Sequence, residues 1–212
     1  MRYKLHVQVP THIVRNEDIY IPNECFVLYA RLCFLYFKNY KNPEITVDHK
    51  KLMGILYIGD SRTLKNRLNT LYKANLIGNK VDILPRKGKM TILFNEAVRS
   101  SETFFTQINA DVFNYLDKIN HHAFRLLFYY KSHINFKEDR RLDYCYVGRE
   151  TLKVRLKMGS STIQEANEQL TKNKLIKITK HMLERREEDY DDNNELIFDR
   201  YNNHYSVTEK MM

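Results

Sequence analysis

Ser61-Arg62-Thr63-Leu64-Lys65-Asn66-Arg67-Leu68-Asn69-Thr70-Leu71-Tyr72-Lys73-Ala74-Asn75-Leu76-Ile77 returns 99 residues later in altered form. Ser160, Thr162-Ile163, Leu170, Lys172 and Leu175-Ile176 stand where Ser61, Thr63-Leu64, Leu71, Lys73 and Leu76-Ile77 stand in the first stretch. The match extends upstream. Val47, Leu52, Leu56 and Gly59 correspond to Val147, Leu152, Leu156 and Gly159 at an offset of 100, and residues 31–36 (RLCFLY) to residues 125–130 (RLLFYY) at an offset of 94. His6-Val7-Gln8-Val9-Pro10 corresponds to Phe105-Thr106-Gln107-Ile108-Asn109 at an offset of 99. The order of blocks is kept, which is the mark of a duplicated unit of about 100 residues, close to common domain size.

Within one unit the pattern reads as a succession of elements. An alternating strand ends at Val9, and Asn23-Glu24 opens a long helix whose apolar residues fall on every side, as in a buried helix. Its apolar run, residues 25–37, contains Arg31 and is shorter than the roughly 18 residues a membrane span needs. Ile45-Thr46-Val47 is a short strand, and Asp48 is a good N-cap for a helix carrying Leu52, Met53, Ile55 and Leu56. Gly59 turns the chain and Ser61 starts a third helix with Leu64, Leu68 and Leu71 on one face. Residues 81–94 are two β-prone runs about a polar tip containing Gly88, which predicts a hairpin. Helix, strand, helix, turn, helix, hairpin is the order of a winged helix-turn-helix. The expected fold is therefore α+β, with tandem winged-helix domains at residues 1–99 and 100–212. The second unit is read as helices over 124–134, 149–158 and 160–173, a strand over 145–147, and residues 175–179 pairing with 196–199 or 205–207. The linker is placed at residues 99–102, where two serines and charges interrupt the apolar pattern.

Charge separates the two units. Net charge is +9, and residues 1–100 carry 17 Lys+Arg against 8 Asp+Glu, whereas residues 101–212 carry 18 against 18. The whole excess lies in the first unit and points to a polyanion held there, most simply nucleic acid. Cys25, Cys33 and Cys145 form no CxxC pair, so buried thiols in a reducing cytosol are expected. The amino-terminal stretch alternates like a strand and lacks the apolar block of a signal peptide.

At 100° per residue, the face of the third helix opposite its leucines carries Arg62, Asn66, Asn69 and Lys73, flanked by Lys65 and Thr70. Arginine pairs with guanine through two hydrogen bonds and asparagine does the same with adenine, whereas Lys65 and Lys73 suit phosphates. Arg86, Lys87 and Lys89 at the hairpin tip would contact backbone or minor groove. In the second unit the same face reads Ser161, Glu165, Glu168 and Lys172, and phosphates repel carboxylates. Its hairpin region is also acidic, with Glu184, Glu187, Glu188, Asp189, Asp191, Asp192 and Glu195 against Arg185 and Arg186. This unit is expected to dimerise, to contact another protein, or to touch DNA weakly through Arg149, Lys153, Arg155 and Lys157.

Catalysis has no visible seat. Residues 189–193 suggest a calcium loop, but Asn194 stands where glycine is needed and Arg200 where the bidentate glutamate belongs. His121 and His122 are adjacent, expected on opposite flanks of a helix, and lack zinc-ligand spacing. No GxxxxGK[ST] or GxSxG occurs. No enzyme, metal or cofactor is expected.

The strand through residues 3–10, the aromatic first helix, the Ser61-Arg62-Thr63-Leu64 helix start and their recurrence resemble the tandem winged-helix replication initiators of plasmids and phages and related winged domains of Gram-positive replication proteins. The resemblance implies a non-catalytic, sequence-specific binder of double-stranded DNA acting as replication initiator or transcription regulator, cytoplasmic and associated with nucleoid or plasmid, with no membrane partner. It implies DNA contacts by both units; Glu165 and Glu168 depart from that pattern. A homodimer contact, or one with a replication or transcription protein, falls to the second unit. The alternative is a protein-interaction adaptor whose basic face binds an acidic protein.

Overall fold

A computed structural model describes residues 5–98, 104–135, 142–180, 184–190, 196–199 and 203–212; for 184–190 and 196–199 the backbone alone is described. The chain is mixed α+β, with helices joined by small two-stranded sheets. The expected linker at 99–102 and the acidic residues Asp191, Asp192 and Glu195 lie outside the described residues.

β1 (His6–Pro10) leads into the short α1 (Thr11–Arg15) and then α2 (Asn23–Lys38). α2 is buried on all sides, from Cys25 to Ala30 and again at Leu32, Cys33, Phe34 and Tyr36, as its apolar composition demands. β2 (Glu44–Val47), α3 (His49–Ile55), α4 (Ser61–Lys73) and β3 (Met90–Leu93) complete the first half. The second half follows a similar order, with no strand at the place of β2 among the described residues: β4 (Phe105–Asn109), a 3-10 turn (Ala110–Tyr115), α5 (His121–Ser132), α6 (Arg149–Leu156), α7 (Ser160–Lys172) and β5 (Ile176–Thr179). β6 (Glu184–Tyr190), β7 (Leu196–Asp199) and β8 (His204–Val207) follow.

The pairing scheme also recurs. β2 pairs antiparallel with β3, and Ile77 bridges Phe94 on the far side of that strand. In the second half, β8 pairs with β5 and Tyr205 bridges Cys145. Of the two strand partners expected for residues 175–179, the later one is therefore correct; β7 pairs with β6 instead. Around residues 145–147 the expected strand reduces to the Cys145 bridge.

One hydrophobic core runs through both halves. β1 pairs antiparallel with β4, Val7 opposite Ile108 and Val9 opposite Thr106, so each half supplies one strand of a shared ribbon. Over it, α2 packs against α5, with Phe26 edge-on to Phe124 and Phe128 at centroid distances of 6.2 and 5.3 Å. Two alternating strands that each bury one face complete their hydrogen bonds most cheaply on one another.

Two further expectations are corrected. The hairpin over 81–94 has only one arm: residues 81–85 form no strand, and β3 finds its partner in β2. Asn79 takes over the missing cross-strand bonds, its Nδ2 donating to the Thr91 carbonyl (3.0 Å) and its Oδ1 accepting from Leu93 N–H (2.7 Å). A side-chain amide thus occupies the backbone sites a second strand would need, and Pro85 has no N–H to offer. His121 and His122 are not on opposite flanks. Their rings lie 4.1 Å apart in the first turn of α5, which begins three residues before its expected start because Asn120 Oδ1 caps it on Ala123 N–H (2.9 Å).

Candidate nucleic-acid interface

The amino end of α4 is fixed by Asp60, whose carboxylate accepts from Thr63 N–H (2.8 Å) and the Thr63 hydroxyl (2.7 Å). Those bonds hold the carboxyl below the usual range of an aspartate. α3 is started in the same manner by Asp48, which accepts from Lys50 and Lys51 N–H. With the starts of both helices set, Leu64, Leu68 and Leu71 of α4 are fully buried, and the face opposite turns outward as the helical period requires. Arg62, Asn66 and Lys73 are exposed; Lys65 and Asn69 are half-buried. No Asp or Glu occurs in α4.

The loop from residue 79 to β3 returns beside this helix. Its turn depends on Gly88 at φ +90°, a left-handed conformation that side chains disfavour. Arg86, Lys87 and Lys89 are exposed around it. A groove of about 360 Å³ is lined jointly by Lys50 of α3, Ser61 and Lys65 of α4, and Asp82, Leu84, Pro85 and Arg86 of the loop, among others. The loop tip and the outer helix therefore border one cavity, with Lys50, Lys65 and Arg86 around it. Lys89 lines a second groove, of about 530 Å³, with Asn79 and Thr91.

Carboxylates near the groove are already engaged. Asp82 pairs with Lys80 Nζ at 2.8 Å, and Asp48 and Asp60 are bound to helix N–H groups. Among the described residues no carboxylate lies within ion-pair distance of Arg62, Lys65, Lys73, Arg86, Lys87 or Lys89. Their positive charge is left for an outside anion. Lys50 was not among the residues singled out from sequence; its position two residues after an N-cap was the available signal, since the first turn of one helix meets the next across a short turn.

The second half presents a different surface. Ser161, Glu165, Glu168 and Lys172 are exposed on α7, and Glu165 accepts from Asn120 Nδ2 (3.3 Å) and Gln169 Nε2 (2.9 Å). Arg149 is exposed on α6, whereas Lys153 is held by Glu150 at 3.0 Å. That pair costs Lys153 part of its availability to phosphate, although an exposed ion pair is weak. Side chains of Glu184, Arg185, Arg186, Glu187, Glu188 and Asp189 in β6 lie outside what is described. Comparison with protein-family models gives no match, and comparison with curated proteins gives no relative.

Proposed function

We propose that the chain is a tandem winged-helix protein that binds double-stranded DNA without chemistry, serving replication initiation or transcriptional control of a plasmid- or phage-type element. In this reading α4 lies in a major groove, Arg62 and Asn66 reach base edges, and Lys65, Lys73, Arg86 and Lys87 meet phosphates. The observation that carries it is the groove in which Lys50, Lys65 and Arg86 outnumber the one lining carboxylate, Asp82, beside a helix face free of carboxylates. The recurring arrangement of a two-stranded sheet flanked by a single bridge, β2–β3 with Ile77 and β5–β8 with Cys145, supports the winged-helix reading of each half. The domain division at residue 99 is proposed as a division of labour; the two halves share one core.

Glu165 and Glu168 on the outer face of α7 favour a second role for that half, contact with a protein or a second copy. The adaptor alternative makes the basic groove a site for an acidic protein. Fluorescence anisotropy with random-pool duplexes separates them: saturable binding at low salt is expected for the DNA reading. Absence of any duplex binding by the full chain at low salt overturns it.

A further inference from the structure

Ile83 is 85% exposed in the loop that returns beside α4, and it lines both grooves of the basic face. In one its companions are Lys50, Lys65 and Arg86; in the other they are Lys80 and Lys89. A lone exposed apolar side chain is ordinary on a protein surface. Ile83 differs in its setting, because the loop holds it outward. Val81 and Leu84 on either side of it are partly buried against the hydrophobic core, and the ring of Pro85 fixes the backbone that follows. At the start of the loop both ends of the Asn79 carboxamide are bonded to the strand β3. Asp82, the one carboxylate beside Ile83, is paired with Lys80 at 2.8 Å.

A polyanion drawn to Lys50, Lys65 and Arg86 is therefore brought against a rigidly presented aliphatic side chain. Phosphates offer that side chain nothing. A duplex has two apolar features that could cover it: thymine methyl groups, which lie in the major groove, and the faces of the stacked bases. With α4 in the major groove, the loop beside it meets the adjoining minor groove, where only the base faces remain.

We infer that Ile83 is a wedge that enters the minor groove beside α4, inserts at one base step, partly unstacks it and kinks the duplex by roughly 20–90°. The inference rests on the DNA reading of this face and adds to it a mechanical activity, deformation of the bound duplex. Unstacking is easiest at pyrimidine–purine steps, so such a step is expected at a position that no side chain reads by hydrogen bonds.

The test uses the full chain and a short duplex that it recovers from a random pool at low salt. Donor and acceptor dyes mark the duplex ends, and separate copies carry 2-aminopurine at successive positions. The unaltered chain is expected to raise energy transfer, as a kink brings the ends together, and to brighten 2-aminopurine at one step. Ile83→Ala is expected to abolish both signals and to weaken binding about tenfold through the lost apolar contact. Its salt dependence should not change, since no cation is removed. Ile83→Leu is expected to keep the kink. Binding without a rise in energy transfer, or a kink that persists in Ile83→Ala, overturns the inference and leaves the DNA reading standing. Failure of the full chain to recover or bind any duplex at low salt overturns both.

Discussion

Replacing Arg125 by methionine removes the charge that ties α1 to α5 while keeping the volume filled. The structure allows the loss to be worked acceptor by acceptor. The Ile13 carbonyl retains Asn16 N–H at 3.3 Å, and Asn16 Oδ1 retains Ile21 N–H at 3.3 Å. Only the Val14 carbonyl is left without its donor, Arg125 Nε. A buried acceptor stranded in that way costs about 1–3 kcal/mol. Stacking on Phe26, with the guanidinium carbon 4.0 Å from the ring centroid, is replaced by thioether contact of similar worth. Against the loss stands relief from desolvation. Burial pushes the guanidinium down to about 9, so it is still charged at neutral pH and still held at a cost. Arg125→Met should therefore destabilise by about 1–3 kcal/mol. Arg125→Ala adds a cavity of the kind that costs a further ~2–5 kcal/mol. Urea unfolding followed by circular dichroism measures both midpoints. An Arg125→Met variant as unstable as Arg125→Ala would refute the reasoning, because the charge and not the filled volume would then carry the joint.

Other outcomes follow from single contacts. Leu68→Ala, at a fully buried position of α4, should cost ~2–5 kcal/mol in the same urea assay. Asn120→Ala should cost about 1 kcal/mol through loss of the α5 cap. His133 is pushed down to about 4 by burial and by Arg15, and burial also lowers His121 and His122. Their unfolded forms take up protons first, so stability should be full above about pH 6.5 and fall as pH drops from there toward 4; flat melting temperatures across that window would contradict this. Burial raises Cys25 and Cys145 to about 11, and all three cysteines are almost fully covered. A disulfide reagent at pH 8 should accordingly label none of them until denaturant is added.

The parts of the molecule written in local period were legible in the sequence. The leucine spacing of α4 and the N-cap residue Asp48 of α3 are signals within one helical turn of their effect, and the outer face of α4 followed from its leucines; Asp60, the N-cap of α4, carries the same kind of local signal and was passed over in favour of Gly59 and Ser61. What stayed hidden is set by distant partners. β1 and β4 alternate alike, and nothing in either names the other across 99 residues. The first arm of the hairpin carries β-prone residues, yet the Asn79 amide outcompeted it for β3. Arg125 is a cation in an apolar run. Its burial depends on the carbonyls at the end of α1, more than a hundred residues earlier in the chain. The basic character of the site was legible as composition, but that Lys50 rather than Lys89 joins Lys65 and Arg86 around one groove depends on how α3 and the loop fold back on α4.

Arg62→Ala and Lys87→Ala extend the account to DNA. Removing a base-reading arginine should erase about 1–3 kcal/mol of discrimination at one base pair, whereas removing a phosphate contact should weaken all duplexes alike. The most direct measurement is the salt dependence of duplex affinity by fluorescence anisotropy. With roughly six phosphates met by the α3, α4 and loop cations, the log-log slope should be about −5, and Lys65→Ala or Lys87→Ala should each flatten it by about one. A slope near zero, or one unchanged by those substitutions, would contradict the assignment of this basic face to DNA.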